Sequence, residues 1–490
     1  MPPSVAILGG GIAGLSTAWH LQKLLPAKIP ITLFEQSSHF GGWMESELVT
    51  RDGRRVLFEG GPRTLRIVGE PGKAMLELVH SLGLASSLKS VPKTSPAARN
   101  RYIYRGGQIH LLNPTPFNLL FSRSPVYAGI LRGGVREAFV RRNSADDESV
   151  WNFFARRFDP RMADTLASAI CHGVFAGNSK EMSMRSSFGS MWAAEQRSGS
   201  LVRDTMKGVI TRSEDQAQLS NRWSSHETAS FQKRLQQEAS VVCFDQGMGR
   251  FPAAIVQDLR KASNVSLLGN QEVTKLELQE GPFSTIIHTK GNQPSSFSHV
   301  VSALPSTQLS RLLPTLANLS HIPYTTVAVV NLAFPSNVLP IRGFGYLVPG
   351  PELDATGGVL GCIFDSESHG DLEITRCTIM AGGWAFSKYF GDPTTADHDA
   401  ILETALRAMR DQLGVTVQPL SSRILIQRDC IPQLLVGHHK KVSDVQDKLQ
   451  EFQGHVQAIG AWITGVSVND GVLAGRTAAE QVARSMNIEL

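Results

Sequence analysis

The sequence predicts an α/β protein, α+β over its whole length: a parallel-sheet domain written in separate stretches, with one helical and one mixed-sheet insertion. Three observations predict it. The chain opens on an apolar run, a glycine-rich turn, a helix-length stretch and a second apolar run. It closes on a further strand–helix pair from Val456 onward. Between them lie a proline-punctuated helical stretch and then a series of β-branched runs. At 490 residues the chain exceeds one simple core, so two or three domains are expected.

Composition narrows the function classes. With 42% hydrophobic and 19% charged residues the chain is ordinarily globular. A net charge of +5 is small for this length, and no finger, homeodomain or RNP pattern occurs, so nucleic acid is not an expected partner. Cys171, Cys243, Cys362, Cys377 and Cys430 are far apart with no CxxC, which disfavours a structural zinc site or a thiol–disulfide reductase. Reduced, buried cysteines in a non-secretory compartment are expected. The first residues enter an apolar strand directly, without a basic n-region or an Arg-rich presequence, so no targeting peptide is expected there. No run of 18 apolar residues occurs, so a spanning helix is not expected.

The opening unit carries the first chemistry. Val5 to Leu8 read as a strand, Gly9-Gly10-Gly11-Ile12-Ala13-Gly14 as the turn into a helix reaching about Leu25, and Ile31 to Phe34 as a second strand ending on Glu35. Each part has a task in a Rossmann-like dinucleotide site. Gly9 permits the tight turn, Gly11 lets a pyrophosphate approach the backbone, and Gly14 lets helix and strand pack closely. Glu35 accepts hydrogen bonds from ribose hydroxyls, and the helix N-terminus faces the phosphates. A helix terminus favours an anion by only about 0.3–1 kcal/mol, so further contacts must come from elsewhere.

Gly41-Gly42-Trp43 follows Glu35 after five residues, a second place where backbone can pass close to a ligand. Glu-x5-Gly-Gly after such an opening resembles the extended fingerprint of the FAD-dependent amine oxidase superfamily, and that resemblance points to FAD. No second GxGxxG occurs, which disfavours a separate NAD(P)H-binding unit.

Further along, Pro71 to Leu82 reads as an amphipathic helix stopped by Gly83. Residues 91–220 read as a mainly helical unit, with helices over Val150 to Arg157 and Pro160 to Ile170. Within it, Phe117 to Phe121 and Val126 to Leu131 bring apolar groups close to Arg123, Arg132 and Arg136. That pattern fits either a membrane interface or a solvated basic face over a normal core. Strands are expected at Val265 to Leu268, Ser284 to His288, His299 to Ser302, Tyr324 to Phe334, Gly345 to Val348, Thr375 to Met380 and Arg423 to Gln427, with a helix over Asp397 to Leu413. Val456 to Trp462 reads as the last strand and Asn469 or Asp470 as the N-cap of the last helix. The expected domains are therefore a dinucleotide domain in three parts (1–90, 221–305 and 453–490), the helical unit and a substrate domain over 306–452.

Several segments together resemble the mitochondrial-type protoporphyrinogen oxidases, in particular fungal members. They are Gly61-Pro62-Arg63, Asn100-Arg101-Tyr102, the GVFAGNS stretch (173–179), the GFGYLVP stretch (343–349) and Gly465-Val466-Ser467-Val468-Asn469-Asp470. The resemblance implies an FAD domain, a substrate domain and a helical membrane-binding domain. It also implies oxidation of protoporphyrinogen IX to protoporphyrin IX in heme biosynthesis, with removal of six electrons and conversion of three O2 to three H2O2. Its further implications are the inner mitochondrial membrane surface (peripheral or monotopic), heme-pathway partners such as ferrochelatase and coproporphyrinogen oxidase, and a homodimer.

The same resemblance assigns site residues. Arg101 corresponds to an arginine that pairs with a propionate, for which a planar guanidinium is suited. Gly173 corresponds to a backbone position near the reacting methylene, and Phe344, Gly345, Leu347 and Met380 to the walls around the macrocycle, Gly345 leaving room for a flat ring. His172 departs from the pattern, since many relatives carry arginine there. Gly9, Gly10, Gly11, Ile12, Ala13, Gly14, Glu35, Gln36, Gly42, Trp43, Gly60, Gly61, Pro62, Arg63, Val273, Val466, Ser467 and Val468 correspond to contacts of a non-covalent FAD, with Arg63 shaping a loop against the flavin. No general base, catalytic triad or metal set stands out. Another flavin oxidase or desaturase of the superfamily, or a non-catalytic flavoprotein scaffold, remains the alternative.

Overall fold

The computed structural model describes residues 2–51, 53–112, 124–127, 130–207, 223, 225–279, 284–335, 337–370 and 373–489. Five parallel strands form the first sheet, in the order Val265–Leu268, Ile31–Phe34, Val5–Leu8, His299–Ser302, Val456–Ala458. Val5–Leu8 and His299–Ser302 are buried at every position, as central parallel strands covered on both faces must be.

On one face lie the opening helix Ile12–Leu24 and the final helix Val468–Ser485, with Gly69–Ser81 and Arg250–Leu259 completing a core around Leu15, Trp19, Met75 and Phe251. The opening and final helices touch at small residues. A Cβ on Gly475 would lie 2.6 Å from the Ala13 carbonyl oxygen, and Ser16 Oγ donates to the Val472 carbonyl at 2.8 Å. The other face packs on the antiparallel strands Val273–Gln279, Ser284–Thr289 and Ser295–Phe297, and on helices Ser306–Leu312 and His438–Gln450.

A seven-stranded sheet follows the order Ser421–Pro432, Tyr324–Phe334, Thr375–Gly383, Val359–Ile363, Gly345–Leu347, Tyr102–Arg105, Gln108–Leu111. All its pairings are antiparallel except the one between Gly345–Leu347 and Tyr102–Arg105. Alternation along Tyr324–Phe334 sorts its side chains. Ala328, Val330, Leu332 and Phe334 pack towards the helix His398–Leu413, whereas Val327 and Val329 join Leu360, Met380 and Leu425 in a separate cluster. Residues 102–111, read from sequence as part of the 91–220 unit, thus extend the seven-stranded sheet. Their Gly106-Gly107 turn, with both φ positive, makes a local hairpin whose sheet partner is distant in sequence.

The helical unit has its own core of Phe153, Phe154, Phe175, Met182 and Trp192. Val150–Arg157 forms as expected. The helical stretch expected over Pro160 to Ile170 forms and runs on to Phe175, as Pro160–Met162, a π-helical turn Ala163–Ala167 and Ser168–Phe175. Arg157 is fully buried between Glu137 (2.9 Å) and Glu195 (3.1 Å). Glu137 also accepts from the backbone N–H of Leu201 at 2.7 Å and Val202 at 3.1 Å, so the start of Leu201–Met206 is fixed by a charge that is itself neutralised.

Two expectations at the end of the chain are corrected. The last strand stops at Ala458, because Gly460 at φ +130° breaks it and Ala461–Thr464 turns helical, burying Trp462. The N-cap of the final helix is Ser467, not Asn469 or Asp470. Its hydroxyl accepts from the Asp470 N–H at 3.1 Å and the Asp470 carboxylate accepts from the Ser467 N–H at 3.2 Å, a reciprocal capping box. Phe117 to Phe121, Arg123, Ala128 and Gly129 lie outside the described residues, as does the side chain of Leu131.

Candidate functional site

The glycine turn after the first strand has one geometry at each position. Gly9 sits at φ +98°, and a Cβ on Gly14 would lie 1.9 Å from the Gly9 carbonyl oxygen, so neither position accepts a side chain in this turn. The Gly10 N–H donates to Glu35 Oε2 at 2.7 Å, which ties the turn to the end of the second strand. Gly11 is the helix N-cap in extended conformation, offers no side-chain cap and is followed by no acidic residue in the first turn. A Cβ there would meet nothing within 4 Å. The leading N–H groups of the helix, on Ile12, Ala13 and Gly14, therefore begin beside an open cradle lined by backbone, which suits a pyrophosphate. Glu35 accepts from Gly10 and from Ser37, and a carboxylate has further lone pairs for ribose hydroxyls.

The second glycine pair packs on the first. The Gly41 N–H donates to the Gly10 carbonyl at 2.9 Å, and a Cβ on Gly42 (φ +60°) would lie 3.3 Å from Gly11 Cα. The next loop follows: a Cβ on Gly61 would lie 2.0 Å from the Trp43 carbonyl oxygen, and the Gly60 N–H donates to Glu45. Val273 begins the strand that leaves this region, two residues after Gln271, whose N–H donates to the Glu35 carbonyl at 2.8 Å beside exposed Gln36. At the other end, a Cβ on Gly471 would lie 2.9 Å from Ile12 Cγ2, so the first turns of the opening and final helices abut. Val468 packs on the core of the parallel-sheet domain and Val466 on that of the helical unit.

Arg63, expected to shape a loop after Pro62, is a buried tie. Its guanidinium lies 3.0 Å from the Asp365 carboxylate and also donates to the Gly61 carbonyl at 2.6 Å and the Glu59 carbonyl at 3.2 Å. Two residues that sequence reasoning missed flank the same loop. Gln427 Nε2 donates to the Gly60 carbonyl at 3.0 Å, and a Cβ on Gly60 would lie 3.0 Å from Leu425 Cδ1. The alternation Arg423, Leu425, Gln427 in a strand-like run was the available signal.

The other predicted residues gather where three elements meet. Arg101 is half-buried, with its guanidinium carbon 4.4 Å from the centre of the Phe344 ring and a hydrogen bond to the Ala97 carbonyl at 2.5 Å. Among the described residues it has no carboxylate partner within ion-pairing distance, and burial pulls its pKa below the ordinary arginine value. Phe344 stands just before the strand Gly345–Leu347; its N–H donates to the Asn100 carbonyl at 3.1 Å. A Cβ on Gly173 would lie 2.8 Å from Leu347 Cδ2, so helix and strand are in direct contact there. Met380 is half-buried in the strand Thr375–Gly383, across from Val329. Strand pairing by itself requires glycine at Gly345. It sits at φ +141°, and a Cβ would lie 2.1 Å from the Cys362 carbonyl oxygen, so strand pairing already excludes a side chain.

His172 is buried. Its Nδ1 lies 2.7 Å from the Val348 carbonyl, which requires an Nδ1–H donor, and Nε2 accepts the Trp384 indole N–H at 3.3 Å. Burial lowers its pKa, partly opposed by the bond to Val348, which fixes the neutral tautomer. It is a hydrogen-bonded buried histidine, not a cationic contact.

Comparison with known proteins bears on the same features. The family model for flavin containing amine oxidoreductases matches residues 12–483. Human protoporphyrinogen oxidase is 34% identical, with 98% of each chain covered, and that of Schizosaccharomyces pombe 32%, with 99% of each covered. Among solved structures, a protein from Exiguobacterium sp. 255-15 superposes with a TM-score of 0.76 over 99% of both chains at 18% identity, a likeness of fold alone. Agreement in sequence from one end to the other, with relatives of this identity, leaves no part of the fold unaccounted for: the chain belongs to the flavin containing amine oxidoreductase family, among the protoporphyrinogen oxidases.

Proposed function

We propose that the protein binds FAD and oxidises protoporphyrinogen IX to protoporphyrin IX, with O2 as the electron acceptor, in heme biosynthesis. The observation that carries the substrate reading is Arg101: a half-buried guanidinium without a carboxylate partner among the described residues, stacked on Phe344. A porphyrinogen has two propionates on a large apolar ring, and such a ligand needs an apolar slot with a few placed charges. Arg101 holds a propionate, while Phe344, Leu347, Met380 and the backbone at Gly173 form the slot. The flavin, when bound, supplies the hydride acceptor. The residues of this chain orient the ring and keep water from the reacting carbon, and no side chain is assigned as a base.

Gly9 to Gly14, Gly42, Trp43, Gly60, Gly61 and Pro62 cradle the cofactor, with Glu35, Gln36 and Val273 at its ribose end, Val466, Ser467 and Val468 at its flavin end, and Arg63 bracing the loop. The protein works on the surface of the inner mitochondrial membrane. Support comes from Val135, Phe139 and Met206, which are 67%, 79% and 83% exposed, amid exposed Arg132, Arg136, Arg141, Arg142, Arg203 and Lys207. Among the described residues no helix is long and apolar enough to cross a membrane.

The test is growth of protoporphyrin fluorescence in air from protoporphyrinogen IX, with H2O2 measured in parallel. Flavin-loaded protein that gives no fluorescence above autoxidation would overturn the reading.

A further inference from the structure

Three elements that carry the proposed substrate residues meet at one side chain. Gly173 is on the helix Ser168–Phe175, Phe344 and Leu347 belong to the segment that continues into Val348, and Met380 is on the strand Thr375–Gly383 that runs into Trp384. His172 stands on the first, donates from Nδ1 to the Val348 carbonyl of the second at 2.7 Å, and accepts at Nε2 from the Trp384 indole of the third at 3.3 Å. We infer that His172 is a positioning residue that sets the spacing of the three walls of the substrate slot, and that Trp384 is its working partner. This inference rests on the proposed porphyrinogen site.

Other bonds join the same elements in pairs: the Gly350 N–H donates to Ser168 Oγ at 3.0 Å, and Gly345–Leu347 and Thr375–Gly383 both pair with Val359–Ile363, whereas His172 bonds from the helix to both of the other elements at once. Where Gly173 meets Leu347 a Cβ would lie 2.8 Å from Leu347 Cδ2, a side-chain end that can give way, so this contact alone does not fix the spacing. Trp384 is 44% exposed, and packing alone holds its ring weakly. Its backbone N–H donates to the Ala176 carbonyl at 2.8 Å, which pins the chain but leaves the ring orientation to the bond with His172. Only a neutral imidazole supplies one donor and one acceptor on opposite sides of a rigid ring. Lysine or arginine would offer donors only and leave the indole N–H unpartnered.

Displacing one wall by a fraction of an ångström reduces productive alignment more than it reduces flavin binding, which takes place at other loops. His172→Ala is therefore expected to lower kcat/KM by about tenfold or more, chiefly through kcat, with flavin content unchanged. The closing experiment is a double-mutant cycle on the flavin-loaded protein. His172→Asn keeps a donor near the Nδ1 position and loses the acceptor; Trp384→Phe keeps a ring and loses the N–H. Each single variant is expected to lower kcat/KM, and the double variant to be no worse than the poorer single, because both remove the same bond. Additive losses, or an unchanged kcat/KM in either single variant with full flavin, would overturn the positioning role. If His172→Ala does not retain flavin, the cycle of the two milder variants decides. An unaltered, flavin-loaded chain that fails to oxidise protoporphyrinogen IX would sink the functional reading instead, and the positioning role with it.

Discussion

The Arg63 guanidinium and the Asp365 carboxylate lie 3.0 Å apart, both buried, and join the loop after Gly61 to the short helix that precedes the strand Thr375–Gly383. Asp365 also accepts from the Thr378 hydroxyl at 2.7 Å. Removing one partner of a buried pair strands the other charge, which costs about 3–5 kcal/mol. Asp365→Ala is therefore expected to lower the urea midpoint substantially, whereas Thr378→Val, which leaves the pair intact, is expected to cost far less. Equal midpoints for Asp365→Ala and the unaltered protein would remove the tie.

Arg101 offers a second test. Arg101→Ala is expected to raise KM for protoporphyrinogen IX by about tenfold or more with little change in kcat, since the propionate is bound equally before and during the reaction. Arg101→Lys should recover only part of the loss, because an ammonium lacks the planar fork and the stacking on Phe344. Steady-state kinetics with both variants check this.

The glycine turn separates folding from cofactor retention. Gly11 has φ −71° and ψ 179°, which valine adopts readily, and its Cβ would enter open space. Gly11→Val is thus expected to fold with an unchanged melting temperature and to be colourless after purification. Gly14→Ala places a methyl 1.9 Å from the Gly9 carbonyl oxygen and is expected to destabilise the fold itself by at least ~1–3 kcal/mol. Absorbance of released flavin and circular dichroism distinguish the two outcomes.

His20 predicts acid sensitivity. It is buried against Trp19 and Trp223, and burial pushes its pKa down from 6.5 to about 3. The folded state binds this proton less well than the unfolded state does. The stability contribution is therefore complete above pH 6.5, is lost as pH falls, and stops declining near pH 3. Between those limits this one group contributes a slope of about 1.4 kcal/mol per pH unit. His299, pushed down to about 4, adds a slope of the same sign. His20→Phe should flatten the pH dependence of stability, measured by denaturant unfolding at a series of pH values; an unaltered slope would refute the assignment.

The proposed membrane association rests on the exposed Val135, Phe139 and Met206. Phe139→Ser combined with Met206→Ser is expected to reduce co-sedimentation with anionic vesicles while leaving turnover of detergent-solubilised substrate unchanged. Raising salt should weaken binding of the unaltered protein, because the surrounding arginines act through screened charge.

What could be read from sequence follows from how local each determinant is. Val5–Leu8, Ile31–Phe34, His299–Ser302 and Tyr324–Phe334 were read to the residue, since buried strands are nearly continuous apolar runs. The hairpin Ser46–Arg51 with Arg54–Glu59 was not read, as its first strand is largely exposed and polar, although Gly53, at φ +73°, marks its turn. The glycine turn was legible because its requirements are set by neighbours within the same motif. Arg63–Asp365, His172–Trp384 and Gln427–Gly60 were not, because each partner is chosen by sheet order, and no local pattern encodes which strands become neighbours.

The contact between the opening and final helices has a consequence for assembly. Ser16 and Val472, hydrogen-bonded to each other, are 456 positions apart, and the parallel sheet beneath them takes its last strand from Val456–Ala458. Closing so wide a loop is slow, and it must precede the contacts that reward it. The nascent chain on the ribosome therefore carries the glycine turn long before the turn has its flanking helix. The helix pair, and the parallel sheet beneath it, can be completed only once the segment from Val456 onward has been made.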